Sequence, residues 1–476
     1  MRLCTRLKPL QFMNENGAKI FNPLKLRELE SLNLPGSGAL QMSDFYPAGK
    51  QMKTFLVGGA VRDLLMSREP TDRDYVVVGA TPADMLAAGF KSVGADFPVF
   101  LHPETGEEYA LARTMRKSAQ NDQEFTTAFD TSITIADDLF NRDFTCNAIA
   151  IDPDGSIIDP FGGLNDIASK RLRHTSEAFC DDPVRVLRAA RLAAKLGFSV
   201  APETVALCRQ IHSTGKLDHL TPERVALEFN KALTTPKPST FFLELDRFGA
   251  LTTLFPEVAA LKGRIQPAEH HMEGDAFAHT MMVVDAAACR FGDPLITFGA
   301  LVHDFGKALT PDENLPSHLG HEELGIGPVN ALADRLKLSN HLRKIGVLSA
   351  RYHTHVHRTS EMGAKKFVDL VEALGGPQHA RKHAHIIASV ATADHFGRIT
   401  AAPREPYLAC MRFSHIIGEV ACVRISDRYS PDQIKAMSVP AVQNSLRHMQ
   451  IAAARRAMRT AGAIDDCNAQ TTVIAR

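Results

Sequence analysis

Residues 71–79 read "TDRDYVVVG", and the fold of the N-terminal part turns on them. Three consecutive valines after a tyrosine predict a strand, because β-branched and aromatic side chains pack well on a pleated, buried surface. Two aspartates, Asp72 and Asp74, stand at its mouth. Strand residues two apart share a face. Two ionised carboxylates held close repel unless a cation sits between them. Mg²⁺ fits, since it takes one or two carboxylates together with substrate phosphates.

Just upstream runs "LVGGAVRDLL", residues 56–65. It predicts a strand, a glycine turn at Gly58 and Gly59, and a helix. Glycines there let backbone N–H groups approach a phosphate, and a helix N-terminus favours an anion. Arg62 falls on the first turn, where its fork suits phosphate oxygens. The stretch is neither the dinucleotide fingerprint nor the lysine-bearing phosphate loop. A phosphate turn followed by paired carboxylates suits phosphoryl or nucleotidyl transfer, with metal ions bridging hydroxyl and triphosphate. Glu108, in "EEYALART", is the candidate third carboxylate.

Outward from this point, "KTFLV", "EEYALART" and "GSIIDPFGG" add strands up to about residue 174. Thereafter nearly everything reads as helix, including "ERVALEFNKALT", "STFFLELDRFGALTTLF" and "PLITFGALVHDFGK". The fold class is α+β. The 476 residues allow about three domains. Lys plus Arg equals Asp plus Glu at 54 each, so an anionic partner must be held by local basic patches. Eight cysteines without a CxxC pair indicate neither a disulfide scaffold nor a cysteine zinc site. The cytoplasm is the simplest compartment. No apolar run approaches the roughly 18 residues of a membrane span. Residues 1–51 read as a poorly ordered N-terminal extension.

"DDPVRVLRAARLAAK" predicts a helix with Asp182 as cap and Pro183 in its first turn. Arg185, Arg188, Arg191 and Lys195 fall within an arc of roughly 120°. Val186, Leu187, Ala190, Ala193 and Ala194 take the other side. A cationic stripe with an apolar back suits a triphosphate or nucleic acid.

Many of the 20 histidines lie between residues 270 and 395. His279, the adjacent His303–Asp304 with Gly306 and Lys307 behind it, and Asp394 form an H…HD…D series on helices. Mixed imidazole and carboxylate ligands suit Mn²⁺, Ni²⁺ or Fe²⁺ better than Mg²⁺. His318, His321, His353 and His357 are further candidates.

The series "LVGGAVRD…DRDYVVVG…FPVFLHPETGEEYALART…NRDFTCNAIA…DDPVRVLRAARLAAKLGF" resembles the bacterial CCA-adding enzymes, tRNA nucleotidyltransferases of the polymerase-β-like superfamily. The H…HD…D series resembles the HD phosphohydrolases. The resemblance implies a small mixed-sheet head (residues 52–174) and an elongated helical neck and body (175–273). An HD domain (274–377, with Asp394 beyond it) and a helical tail (378–476) would follow. It implies Mg²⁺ on Asp72 and Asp74, the catalytic pair, and nucleotide contacts from Gly59, Arg62, Arg142, Arg188 and Arg191. Asp182 and Arg185 would read the incoming base, since cytosine N4 and adenine N6 donate to a carboxylate and ring acceptors take an arginine N–H. Here the family's usual Glu before that Asp is Asp181, and Asn141 stands where a second Arg is common. The implied partners are tRNA, CTP and ATP, with the chain a monomer or homodimer and no membrane. Lys170, Arg171, Arg173, Arg447, Arg455, Arg456 and Arg459 are candidate tRNA contacts. Ni²⁺ or Mn²⁺ is implied at the HD site, with 2′,3′-cyclic phosphodiesterase, 2′-nucleotidase and phosphatase activities. The alternatives are a poly(A) polymerase and a CC-adding or A-adding specialist. Residues 117–128, where flexibility for the C-to-A switch is expected, lack glycine.

Overall fold

The structure is a computed structural model that describes residues 11–13, 19–21, 52–93, 99–117, 125–269, 271–399 and 407–474. Residues 1–51 lie outside the described residues, apart from strands Gln11–Met13 and Lys19–Phe21, which pair antiparallel. Most of the switch stretch, residues 118–124, also lies outside them.

The chain divides into two compact units: Met1–Arg185 with Ser199–Leu207, and Val186–Phe198 with Cys208–Arg476. The first holds a mixed seven-stranded sheet. Its strands are β1 (Lys53–Val57), β2 (Asp74–Val78), β3 (Lys91–Val93), β4 (Val99–Leu101), β5 (Glu108–Leu111), β6 (Ala150–Ile151) and β7 (Ile157–Ile158), in spatial order β7-β6-β1-β2-β5-β4-β3. β2 runs antiparallel to β1 and parallel to β5.

Strand alternation explains why both faces are dry. Leu56, Tyr75, Val77, Tyr109 and Leu111 join one apolar cluster with Val61, Leu64 and Met85 from helices α1 (Gly59–Leu65) and α2 (Pro82–Ala87). Phe55, Val57 and Val76 join a second with Ile133 and with Leu139 of helix α3 (Ile135–Phe140). The Tyr75 and Tyr109 rings stack at 4.5 Å. A slip of β2 by one residue would draw the Asp74 carboxylate in among these apolar side chains, so the register at its mouth is fixed.

Residues 199–207 return to the first unit because Arg171–Leu172 pairs in parallel with Ser199–Val200, and the Thr204 hydroxyl accepts the His174 backbone N–H at 2.9 Å. The helical break thus falls past residue 174.

The second unit is helical in its described residues. Its elements include α4 (Val184–Leu196, all but its first two residues), α5 (Pro222–Ala232), α6 (Ala276–Phe291), α7 (Pro294–Val302), α8 (His321–Leu324), α9 (Asn340–His357), α10 (Ala380–Gly397) and the long α11 (Val439–Ile474). Side-chain caps start several of them: Asp275 for α6, Asp293 with Pro294 for α7, and Ser339 for α9. The stretch 239–255 is not one helix. Helix Ser239–Arg247 stops before Gly249, whose φ of 80° ends the turn, and Leu251–Leu254 begins afresh.

Candidate functional sites

The head's site is built where β1 and β2 begin and end. β2 starts at Asp74, so Asp72 lies just before the strand rather than two places along it. The shared-face argument therefore fails for Asp72, though the charges still meet. Desolvation raises the Asp74 pKa above the usual carboxylate value, Arg142 opposes that, and the Asp72 charge adds to it. Parallel pairing puts Glu108 directly beside Asp74, on the same side of the sheet. Three carboxylates thus gather at one end of the sheet, and their mutual repulsion is what a divalent cation relieves.

Gly58, not Gly59, has the positive φ, 73°. A Cβ there would stand 3.0 Å from Arg142 Nη1 and 3.8 Å from Asp74 Oδ2. A bare backbone, a guanidinium and a carboxylate thus surround one small space. Arg142 is held by Asp138, which accepts from Nε at 3.2 Å and Nη2 at 3.1 Å. Replacing Arg142 with Gln should push the Asp74 pKa further up, because the charge that opposes desolvation is gone; a carboxyl-resolved NMR titration of metal-free protein reads the shift.

Arg62 departs from its expected place. It is buried, with Nε and Nη2 on Asp63 at 2.9 and 2.7 Å and Nη1 on Asn147 at 2.6 Å. Asn147 in turn donates to Asp143 at 3.0 Å. Arg62 ties the glycine turn to the segment after Arg142 and is a positioning group in this state. Asn147 and Asp138 were not foreseen; their only sequence signal is nearness to Arg142.

On α4, Val186, Leu187 and Ala190 are fully buried, as the periodicity requires. The cationic side is less free than the stripe suggested. Arg185 is 7% exposed and donates to the backbone oxygens of Ala178 at 2.7 Å and Asn141 at 2.6 Å. Arg191 pairs with Glu228 of α5, and Arg188 lies 3.8 Å from the same carboxylate. The glutamate missing from the stripe comes from a neighbouring helix, which one helix's pattern cannot reveal. Asp182 Oδ1 accepts the Val184 N–H at 3.1 Å, as a cap would. Among the basic candidates, Arg173 pairs with Asp166 and Glu203, and Arg447 with Asp369. Lys170, Arg171, Arg455, Arg456 and Arg459 are exposed.

The second site gathers His279 (α6), His303 and Asp304 (just past α7), His321 (α8), His353 and His357 (α9) and Asp394 (α10). All but the part-exposed His357 are buried. His279 Nε2 lies 3.1 Å from Asp394 Oδ1 and 3.6 Å from Asp304 Oδ2, and His303 Nε2 lies 3.2 Å from that same oxygen. The tautomers follow from the partners. His303 Nδ1 donates to the Ala300 carbonyl at 2.7 Å and His279 Nδ1 to Glu273 at 2.9 Å. Each Nε2 therefore turns a lone pair inward in the neutral ring. His279 Nε2, His303 Nε2 and Asp304 Oδ1 are buried without a hydrogen-bond partner. Buried polar atoms are ordinarily satisfied, so these orphans fit a metal ion.

Burial opposes ionising Asp304, but His303, when its ring carries a proton on Nε2, and the Lys307 ammonium outweigh it and hold its carboxyl well below the usual range. Arg398, His279 and His357 do the same for Asp394. Lys307 Nζ lies 2.6 Å from Asp304, and Arg398 makes a two-point bond to Asp394. A cavity of about 180 Å³ reaches this centre. Glu273 is the residue that sequence reading missed. It accepts from His279, His271 and the Ile399 N–H, which together carry its pKa down to about 2 against desolvation. Its signal was an acid six residues before His279. His318 is not available to an ion, since its ring bonds Thr310 and the Ile265 carbonyl.

Gly306 makes the cradle close. A Cβ there would fall 1.9 Å from the His321 carbonyl oxygen and 2.6 Å from Gly325 N, both backbone. Gly306→Ala should cost about 1–3 kcal/mol of stability by overpacking, which thermal unfolding measures.

The first unit defines a nucleotidyltransferase head: a mixed sheet gathers carboxylates beside a glycine turn and a fixed arginine. Residues 54–173 match the family model described as the poly A polymerase head domain, and residues 197–262 match the probable RNA and SrmB-binding site of polymerase A. The chain is 46% identical over 409 residues to a multifunctional CCA protein of Methylococcus capsulatus, covering 85% of this chain and 95% of that one. It is 48% identical over 366 residues to the multifunctional CCA protein of Xanthomonas campestris, covering 75% and 89%. The chain belongs to this family and is a tRNA nucleotidyltransferase. The fold resembles the Bacillus stearothermophilus CCA-adding enzyme in complex with CTP, at TM-score 0.59 and 21% identity over 88% of this chain and 95% of that one. It also resembles the Thermotoga maritima CCA-adding enzyme complexed with tRNA, at 0.57 and 19% over 93% and 96%. Among the described residues no helix is long and apolar enough to cross a membrane.

Proposed function

We propose that this chain adds C, C and A in turn to the 3′ end of tRNA from CTP and ATP, and clears 2′,3′-cyclic and terminal phosphates from tRNA ends at a second, hydrolytic centre. The observation that carries the first part is the register of Asp74 with Glu108 beside Asp72, facing Gly58 and Arg142. Those carboxylates are suited to hold Mg²⁺. Bound there, such ions favour an ionised 3′-hydroxyl and neutralise charge on the triphosphate. The chain's own groups do the placing. Gly58 leaves room for a phosphate against the backbone, Arg142 offers a cation beside it, and the Arg62–Asn147–Asp143 chain holds the turn. The Arg185 guanidinium, held by two carbonyls, and the Asp182 carboxylate are the groups whose chemistry suits the ring edge of cytosine or adenine. Arg188 and Arg191 add positive charge for a triphosphate, shared with Glu228. The exposed Lys170, Arg171, Arg455, Arg456 and Arg459 suit backbone contacts to tRNA. The relatives' names and the neighbours solved with CTP and tRNA support this reading.

The second part rests on the orphaned Nε2 atoms and Asp304 oxygen. His279, His303, Asp304 and Asp394 would hold an ion such as Mn²⁺ or Ni²⁺, which polarises a phosphoester and activates water. Lys307 and Arg398 flank it as cations for the phosphate. A tRNA lacking its CCA and ending in a 2′,3′-cyclic phosphate tests both centres. With CTP and ATP it should be opened, dephosphorylated and then extended. An end that stays blocked under conditions where the hydroxyl-ended tRNA is extended would contradict the hydrolytic reading.

A further inference from the structure

Asp394 uses its two oxygens differently. Oδ1 lies 3.1 Å from His279 Nε2, at the ion site. Oδ2 accepts from two donors, Arg398 Nη2 at 2.5 Å and His357 Nε2 at 2.7 Å. Arg398 Nε also reaches Oδ1, at 3.0 Å. A carboxylate offers about four lone-pair sites, two on each oxygen. Oδ2 is therefore full, while Oδ1 keeps one site open. The His357 ring is anchored the opposite way to those of His279 and His303. An ionised carboxylate only accepts, so His357 Nε2 carries the proton and donates it. In the neutral ring Nδ1 is then a lone pair, and the Tyr407 hydroxyl donates to it at 2.7 Å. Such a ring has no nitrogen left for an ion. Tyr407 is held in turn, because its ring stacks on His395, the neighbour of Asp394 in α10, at 4.5 Å and 16° between planes. His357 lines the cavity together with Asp394 and Arg398 and is part-exposed, yet both of its nitrogens are bonded to protein.

We propose that His357 and Tyr407 are positioning residues of the hydrolytic centre: by filling Asp394 Oδ2 they present Oδ1 alone to the ion. This rests on the reading of the ion site and deepens it, since it takes His357 out of the ligand set and brings in Tyr407, which no spacing pattern marks. Partners that hold a ligand from behind are worth about 10- to 100-fold in metal affinity, because they fix which atom the ligand offers and how it is turned.

Three substitutions separate this role from the others open to His357. Full-length protein carrying Asp72→Asn and Asp74→Asn, which disarm the head as an ion site, is stripped with chelator and titrated with Mn²⁺, the free ion being read by electron paramagnetic resonance. In that parent, His357→Leu should raise the Mn²⁺ Kd about 10- to 100-fold, and Tyr407→Phe, one bond further out, about tenfold. His357→Gln should stay within a few-fold of the parent. Its amide can donate to Asp394 Oδ2 from nitrogen and accept from Tyr407 on oxygen, but it can neither ligate as an imidazole nor carry a proton between groups. Circular dichroism, and nucleotide addition by the same substitutions with an intact head, confirm that the variants are folded. A parent-like Kd in folded His357→Leu or Tyr407→Phe protein refutes the positioning role and leaves the ion site standing. A His357→Gln protein as weak as His357→Leu also refutes it, because the imidazole itself would then be required. A parent protein that takes up no Mn²⁺ overturns the ion site and the positioning role together.

Discussion

Asp74→Asn should lower nucleotide addition by about 10³-fold, equivalent to about 4 kcal/mol of transition-state stabilisation. The reason is positional. Asp74 is the one carboxylate that both belongs to the strand and has a partner, Glu108, in register beside it. Asparagine keeps the shape and the strand but removes the charge that would hold an ion. The valines behind it stay buried, so the melting temperature should hardly move, and phosphohydrolysis should persist. Single-turnover addition to a CCA-less tRNA, measured beside thermal unfolding, separates lost chemistry from lost fold. A variant that kept addition within a few-fold of the parent would remove Asp74 from the site.

Asp304→Asn should have the largest effect in the second unit. It should abolish the proposed phosphohydrolysis to a similar degree, weaken loading with Mn²⁺, and leave nucleotide addition intact. It should also destabilise metal-free protein by about 3 kcal/mol at neutral pH, because removing one partner of a buried pair leaves the Lys307 ammonium uncompensated. The pH dependence has a definite sign. The Asp304 pKa in the folded chain lies well below its ordinary value, so its stabilisation is complete above the ordinary carboxylate range and fades as pH falls toward the folded value. The deficit of the asparagine variant should therefore shrink in acid. Chemical denaturation of the metal-free proteins at neutral and acidic pH measures it.

The sequence made the head legible because a strand apolar on both faces has few other uses, and "DYVVV" flanked by a glycine turn is such a strand. It placed Asp74 well and Asp72 less well, since a strand's first residue depends on pairing with β1, a partner far along the chain. Glu108 could be named as a carboxylate on a strand, but only the parallel register of β5 against β2 puts it beside Asp74. Arg62 and Arg185 were read as free forks. The structure spends them on Asn147, Asp63 and two carbonyls, contacts that no local periodicity contains. In the helical part, the H…HD…D order was enough to bring His279, His303, Asp304 and Asp394 together. Spacing alone ranks His318, His321, His353 and His357 equally. What separates them is which ring nitrogen is already bonded, and that is a property of the packed helices rather than of spacing.

The central claim is that this chain completes tRNA ends with three residues of fixed identity and order. The direct measurement uses a hydroxyl-ended tRNA stopping at its discriminator base, incubated with labelled CTP alone, ATP alone, and both, with products resolved to single nucleotides. The account predicts two added residues with CTP alone, none of consequence with ATP alone, and C, C, A and then a halt with both. A growing tail of A, or a halt after CC with both nucleotides present, would contradict it.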